Sequence, residues 1–281
     1  MKKLFSIALW IVALSTYLAQ AQTVAVSAQS NAPVTRIEDV IYGRKAGTAL
    51  TLDVIQPAKP NGYGIAYMES GAWYSGHEMV RPEMFRAFTD RGYTVFAVVH
   101  GSQPKFPIAE IVPDIQRAIR FIRHNAAKYG VDPNHPGISG ASSGGHLSLT
   151  IAVKGGDGKA DARDPVDRES SAVQGVACFF PPTDFLNYGE TNRDVVGFGP
   201  LQNFKSAFGS RSDTAEGRQE LGHEISPIYF VHSNMPPILI IHGSADKLVP
   251  VSQSEQFVKR CEESGVTAKL TVREGKGHGW L

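Results

Sequence analysis

Residues 137–149 read GISGASSGGHLSL, and two adjacent serines between glycines pose the question on which the fold turns. Gly140-Ala141-Ser142-Ser143-Gly144 fits G-x-S-x-G. A strand-like run precedes it, and the helix-like run GGHLSLTIAV follows. A nucleophile on a strand-to-helix turn needs small neighbours, because the turn is tight and its backbone strained. Only Ser142 falls in the central slot. Ser143 comes next, and its backbone N–H is the expected first donor of an oxyanion hole.

A serine hydroxyl is a weak nucleophile until a base takes its proton. On such a turn the partners are expected in the chain order serine, acid, histidine. PPILIIHGSADKLVP carries Asp246 just beyond a strand, and EGKGHGW puts His278 in a glycine-rich loop 32 residues later. The carboxylate would hold the imidazole's tautomer and stabilise the imidazolium. His242 precedes the acid and ends a buried strand, so it is read as packing behind it. His146 is expected to pack or hydrogen-bond on the new helix. Asp184 is the rival acid. His77, His100, His223 and His232 are read as surface or loop residues. The stretch YMESGAWYSG stands after an earlier strand, where Gly71 or Ala72 offers a second backbone N–H to the oxyanion. Trp73 and Tyr74 in the same stretch are candidate substrate contacts.

Working outward, ALTLDVIQP, GYGIAYMES, YTVFAVVHG, VQGVACFFP, PPILIIHG and AKLTVREG join PGISGA as short apolar runs ended by turn residues. Helical patterns lie between them. In PDIQRAIRFIRHNAAKYG, Ile115, Ala118, Ile119 and Ile122 recur at helical spacing, with Pro113 as the start and Gly130 as the stop. VSQSEQFVKRCEESG directs Phe257, Val258 and Cys261 to one face and ends at Gly265. Strands alternating with helices predict an α/β fold with a mostly parallel sheet covered on both faces. Residues 184–226 break the alternation and are expected to form a lid-like insertion.

The 281-residue chain opens with MKKLFSIALWIVALSTYLAQA. Two lysines, a short apolar run and Ala19-Gln20-Ala21 make residues 1–21 a signal peptide, with 22–36 a flexible lead-in and 37–281 the folded domain. A secreted or periplasmic protein without a stable membrane span follows. Loss of the leader leaves 26 basic against 27 acidic residues, which gives no electrostatic reason to expect nucleic acid. Cys178 in a strand-like run and Cys261 in a helix-like run are read as buried free thiols. No CxxC or histidine-rich metal spacing occurs, so neither metal nor organic cofactor is expected.

GASSGGHLSL, HGSADKLVP, KGHGW and the SGAWYSG loop together resemble the α/β-hydrolase superfamily. The nearest groups are the hormone-sensitive-lipase-like and feruloyl-esterase-like carbohydrate esterases, and the likeness runs from about residue 40 to 281. VVHGSQPKFPIAEIVPDI is similar to that family's DYRL-x-PE-x-x-FPA stretch, with a degraded front half. The resemblance implies an α/β-hydrolase fold and a secreted carboxylic-ester hydrolase acting through an acyl-enzyme. Its triad falls on Ser142, Asp246 and His278, and its oxyanion donors on Ser143 and Gly71 or Ala72. The substrate would be a small-molecule or polysaccharide-linked ester. Peptidase, polyester or lipid hydrolase, and inactive binding protein remain alternative readings of the same motifs. Two departures stand out. The family's His-Gly-Gly-Gly-Trp loop is here Glu69-Ser70-Gly71-Ala72-Trp73, without the bracing histidine. The family's final helix after the histidine has no counterpart before Trp280-Leu281, which fits a truncated chain or a lost helix.

Overall fold

All seven apolar runs are strands in the computed structural model, which describes residues 33–281. The signal-peptide reading of residues 1–21 lies outside the described residues. The strands are β2 (Thr48–Pro57), β3 (Gly64–Met68), β4 (Thr94–Val99), β5 (Gly137–Ala141), β6 (Gly175–Phe179), β7 (Ile238–Gly243) and β8 (Ala268–Arg273). An eighth, β1 (Val34–Lys45), begins inside the expected lead-in. Its residues lack clean alternation because it is an edge strand with two register shifts against β2.

The sheet order is β1-β2-β4-β3-β5-β6-β7-β8. β2 runs antiparallel to both neighbours, and every pairing from β4 through β8 is parallel. The carboxyl ends of β3, β5 and β7 therefore point to one edge, where loops can converge.

Helix α2 (Ile108–His124) starts earlier than Pro113 suggests, so that the proline lies inside it. Ile108 and Ile111 are both fully buried. Their burial, roughly 1.5–3 kcal/mol each, offsets the backbone hydrogen bond that Pro113 cannot make. A short α3 (Ala126–Tyr129) follows, and Gly130 ends it in the left-handed conformation that glycine adopts without strain. Helix α4 (Ser143–Lys154) is buried along nearly its whole length, and α6 (Ser252–Glu263) buries Phe257, Val258 and Cys261. These helices share one continuous core with the sheet.

Helical cover on the two faces is unequal. The opposite face carries a smaller cluster, in which Phe85 and Val80 pack on Ile55, Tyr67, Val95 and Ala97, next to the one-turn α1 (Arg86–Thr89). Beyond it, Ile65, Ala177, Leu239 and Ile241 line an open groove of about 1090 Å³. Both cysteines are buried and unpaired. The 184–226 segment holds two 3₁₀ stretches and α5 (Ala215–Ile225). It buries Phe185, Tyr188 and Leu201 against the main core. This is the arrangement of an α/β-hydrolase, with an insertion laid over the carboxyl edge of the sheet.

Candidate active site

The turn between β5 and α4 sets the geometry. Ser142 has φ 53° and ψ −119°, a left-handed conformation that costs about 1–3 kcal/mol for a non-glycine residue. Surrounding packing holds it there. A Cβ on Gly140 would lie 2.6 Å from the Gly144 carbonyl, and one on Gly144 would lie 2.5 Å from the Met68 carbonyl oxygen. The strand and helix therefore approach closer than any larger residue allows.

Ser142 Oγ lies 2.9 Å from His278 Nε2, and His278 Nδ1 lies 2.7 Å from Asp246 Oδ2. With Nδ1–H donating to the carboxylate, Nε2 is left to accept the serine proton. Asp246 sits at the β7 exit and is buried. Its Oδ1 accepts the N–H groups of Leu248 and Val249. Burial alone would push its pKa up. Hydrogen bonds from His242, His278 and the Val249 N–H outweigh that and hold it well below the usual carboxylate range.

The competing residues have other work. His242 is fully buried behind Asp246, its Nε2 3.3 Å from Oδ2 and 2.9 Å from the Val249 carbonyl. Asp184 organises the start of the insertion, accepting from the N–H groups of Leu186 and Asn187 and from Tyr229 Oη. Asp39, Asp53 and His77 bring ligand-type atoms within 4.8 Å of one another, but Arg36 Nε already binds Asp53 at 2.7 Å and supplies the counter-charge.

The loop from Glu69 to Ser75, expected to supply oxyanion donors, is a tight hairpin. Gly71 and Tyr74 exchange both backbone hydrogen bonds at 2.9 Å, and Ala72 and Trp73 have φ 50° and 59°. The Gly71 N–H is thus committed to Tyr74, while the Ala72 N–H has no partner among the described residues. The bracing histidine comes from elsewhere. His100, in the loop just past β4, is only 3% exposed, so it is a loop residue as expected but not a surface one. Its Nδ1–H donates to the Gly101 carbonyl at 2.7 Å, and its Nε2 accepts from Ser70 Oγ at 2.9 Å. Ser143 Oγ in turn donates to the Ser70 carbonyl at 3.0 Å. Burial pushes His100 down to about 4, so the ring is neutral and acts as a hydrogen-bond strut. The ending VVHG of the β4 run was the available signal.

Trp73 and Tyr74 part company. Trp73 is buried and borders the cavity, but its indole N–H donates to His146 Nδ1 at 3.1 Å. Its ring packs on Phe185 and Phe208. His146 Nε2–H donates to the Ile225 carbonyl at 2.7 Å, which ties α4 to the insertion. Tyr74 is 46% exposed, donates its hydroxyl to Glu78, and does not line the cavity.

Ser142 and His278 open on a cavity of about 460 Å³. Leu201 and Phe204 of the insertion, with Phe180 and Leu248, make apolar wall, while Glu69 and Arg81 make polar wall. Phe180 also packs edge-on against the His278 ring at 4.8 Å.

The family model of BD-FAE matches residues 52–261. The chain belongs to the BD-FAE family. Among characterised sequences, this BD-FAE chain is similar to a probable isoprenylcysteine alpha-carbonyl methylesterase of Oryza sativa subsp. japonica. The two are 26% identical over 250 residues, which is 86% of this chain and 58% of that protein. It is also 29% identical to the esterase LipQ of Mycobacterium tuberculosis, over 69% of this chain and 44% of that protein. The chain thus spans about half the length of the curated relatives it matches. A solved structure of a truncated carbohydrate esterase from gut microbiota superposes with TM-score 0.74 at 28% identity. It covers 90% of this chain and 91% of that one.

Proposed function

We propose that this BD-FAE protein is an exported serine hydrolase of carboxylic esters. The observation that carries the reading is the unbroken line from Ser142 Oγ through His278 to Asp246 at the floor of a cavity. Relatives named as esterases support the reaction class.

Ser142 Oγ attacks the ester carbonyl carbon while its proton passes to His278 Nε2. Asp246 keeps Nδ1–H pointed inward and stabilises the imidazolium. The carbonyl oxygen, now an oxyanion, accepts from the N–H groups of Ser143 and Ala72. Each such donor contributes roughly 3 kcal/mol to the barrier reduction. The tetrahedral adduct collapses, the alcohol leaves with the proton from Nε2, and the acyl group stays on Ser142. Water then gives a proton to His278 and attacks the acyl carbon, and the second adduct collapses to release the acid as the imidazolium returns the proton to Ser142 Oγ.

A cavity of about 460 Å³ lies toward the smaller end of ligand sites, which favours short acyl groups on a small or carbohydrate-linked alcohol. Export rests on the leader-like residues 1–21, and N-terminal sequencing of protein recovered outside the cytoplasm, starting at Gln22, checks it.

The deciding experiment is hydrolysis of p-nitrophenyl esters, acetate through decanoate, by the chain from residue 22 beside Ser142→Ala. Turnover of the short esters that disappears in the variant supports the reading. Equal turnover by the two proteins overturns it.

A further inference from the structure

Glu69 stands where the resembled family has its bracing histidine, yet it braces nothing. The residue is only 6% exposed, and its Oε2 is buried with no hydrogen-bond partner among the described residues. A buried carboxyl oxygen without a partner costs free energy unless something bound to the protein supplies one. Glu69 borders the cavity that holds Ser142, and so does Arg81. The guanidinium's hydrogen-bond contact among the described residues is weak, Nη2 to the Met84 thioether at 3.4 Å. The two charges sense each other without pairing. Burial raises Glu69 and Arg81 pulls against it, and the balance leaves the carboxyl at about 7.

A carboxylate asks for a donor and a guanidinium asks for an acceptor. A hydroxyl is a small group that satisfies both at once. An ammonium has no lone pair for Arg81, and against the ionised form of Glu69, present above about pH 7, a carboxylate has no proton to give. The cavity also suggests which part of the ester brings that hydroxyl. Leu201 is buried and Phe204 half-buried, which suits the acyl chain, whereas Arg81 and Met84 are exposed at the mouth. The alcohol must leave toward solvent, past that polar wall.

We infer that Glu69 and Arg81 form a specificity subsite for a hydroxyl on the alcohol portion of the ester, so that monoesters of diols and polyols are preferred over esters of simple alcohols. The inference rests on the esterase reading above. The hydroxyl donates to Glu69 Oε2 and accepts from an Arg81 N–H. The ester of a simple alcohol leaves both groups unsatisfied.

The test compares 2-hydroxyethyl, 3-hydroxypropyl and 4-hydroxybutyl acetates with ethyl, propyl and butyl acetates, following acid release by pH-stat. The readout is the ratio of kcat/KM within each pair, which does not depend on how much of a preparation is folded. In the wild type at least one ratio should be about tenfold, the usual scale for a partly exposed hydroxyl contact. Glu69→Ala should bring that ratio to within about twofold of one, and Glu69→Gln, whose amide oxygen still accepts, should keep part of it. Arg81→Ala, at an exposed position, should also lower it and serves if Glu69→Ala does not fold. Ratios near one at all three lengths, or a preference untouched by both alanine variants, overturn the subsite while Ser142-dependent turnover leaves the esterase reading standing. No acid release from any of the six esters, or release that survives Ser142→Ala, overturns both.

Discussion

His100 Nε2 accepts a hydrogen bond from Ser70 Oγ at 2.9 Å, across 30 residues of sequence, and so fixes the loop that shares a cavity with Ser142. The loop histidine that the resemblance leads one to expect is replaced by one at the end of the neighbouring strand. His100→Ala should take away the acceptor of the Ser70 hydroxyl and leave it only the longer contact to Ser143 Oγ at 3.1 Å, at a cost of about 1–3 kcal/mol. Loop displacement should lower kcat on p-nitrophenyl acetate about tenfold, the order expected when an oxyanion donor is held loosely. Urea unfolding and steady-state kinetics read the two effects, and unchanged kcat would refute the strut.

Asp246→Asn preserves shape but reverses the hydrogen bond to His278 Nδ1. The imidazole is then held in the tautomer whose Nε2 carries a proton and cannot accept one from Ser142. A fall in kcat of about 10⁴ is expected, together with a lower unfolding midpoint, because the hydrogen bonds that favour the ionised carboxylate are lost. A variant within tenfold of wild type would remove Asp246 from the mechanism.

Gly140→Ala probes the turn itself. Its Cβ would meet the Gly144 carbonyl at 2.6 Å, and both partners are backbone. The expected loss is at least about 2 kcal/mol of stability together with most activity, because relief requires moving Ser142. Thermal denaturation and ester hydrolysis check it. A fully active, equally stable variant would show the elbow to be looser than its contacts.

Trp73→Phe keeps the ring packing on Phe185 and Phe208 but removes the N–H that reaches His146 Nδ1. The buried imidazole then lacks a donor, for a loss of about 1–3 kcal/mol. Since His146 holds the Ile225 carbonyl, the insertion should loosen as well, and hydrogen exchange at residues 215–225 should quicken. Exchange that stays at the wild-type rate speaks against the link.

Stability against pH follows from the buried titratable groups. Burial pushes both His100 and His146 down to about 4. In the unfolded chain each has an ordinary pKa near 6.5, so between about pH 6.5 and 5 the unfolded state binds protons that the folded state refuses. Stability is therefore lost as pH falls through that window, by about 1.4 kcal/mol per pH unit for each histidine. Glu69, raised to about 7 by burial, works oppositely, because its folded form holds a proton that the unfolded form releases. The net slope is that of roughly one proton, and Glu69→Gln should nearly double it. Urea midpoints at pH 6.5, 5.75 and 5 measure both slopes, and equal slopes in the two proteins would contradict the assignment.

Much of this protein was written in contiguous residues. Seven strands, the helix ending at Gly130 and the turn at Ser142 each follow from periodicity or backbone strain within a few positions. Asp246 and His278 were legible because each follows a strand, in an order the fold requires. β1 was not, since an edge strand with bulges needs no clean alternation.

The remaining decisions belong to tertiary structure. That Ala72 and not Gly71 offers the free N–H depends on the hairpin bond between Gly71 and Tyr74. Trp73 turns inward and Tyr74 outward because His146, 73 residues beyond Trp73, presents a buried acceptor to the indole. His100 becomes a strut because β4 pairs with β3 and ends beside Ser70. Sequence by itself determined the elements and the order of Ser142, Asp246 and His278 along the sheet edge, because local sterics and periodicity act over neighbouring residues. The partner of each buried polar atom was decided only when packing brought distant segments together and burial left no water to bond instead.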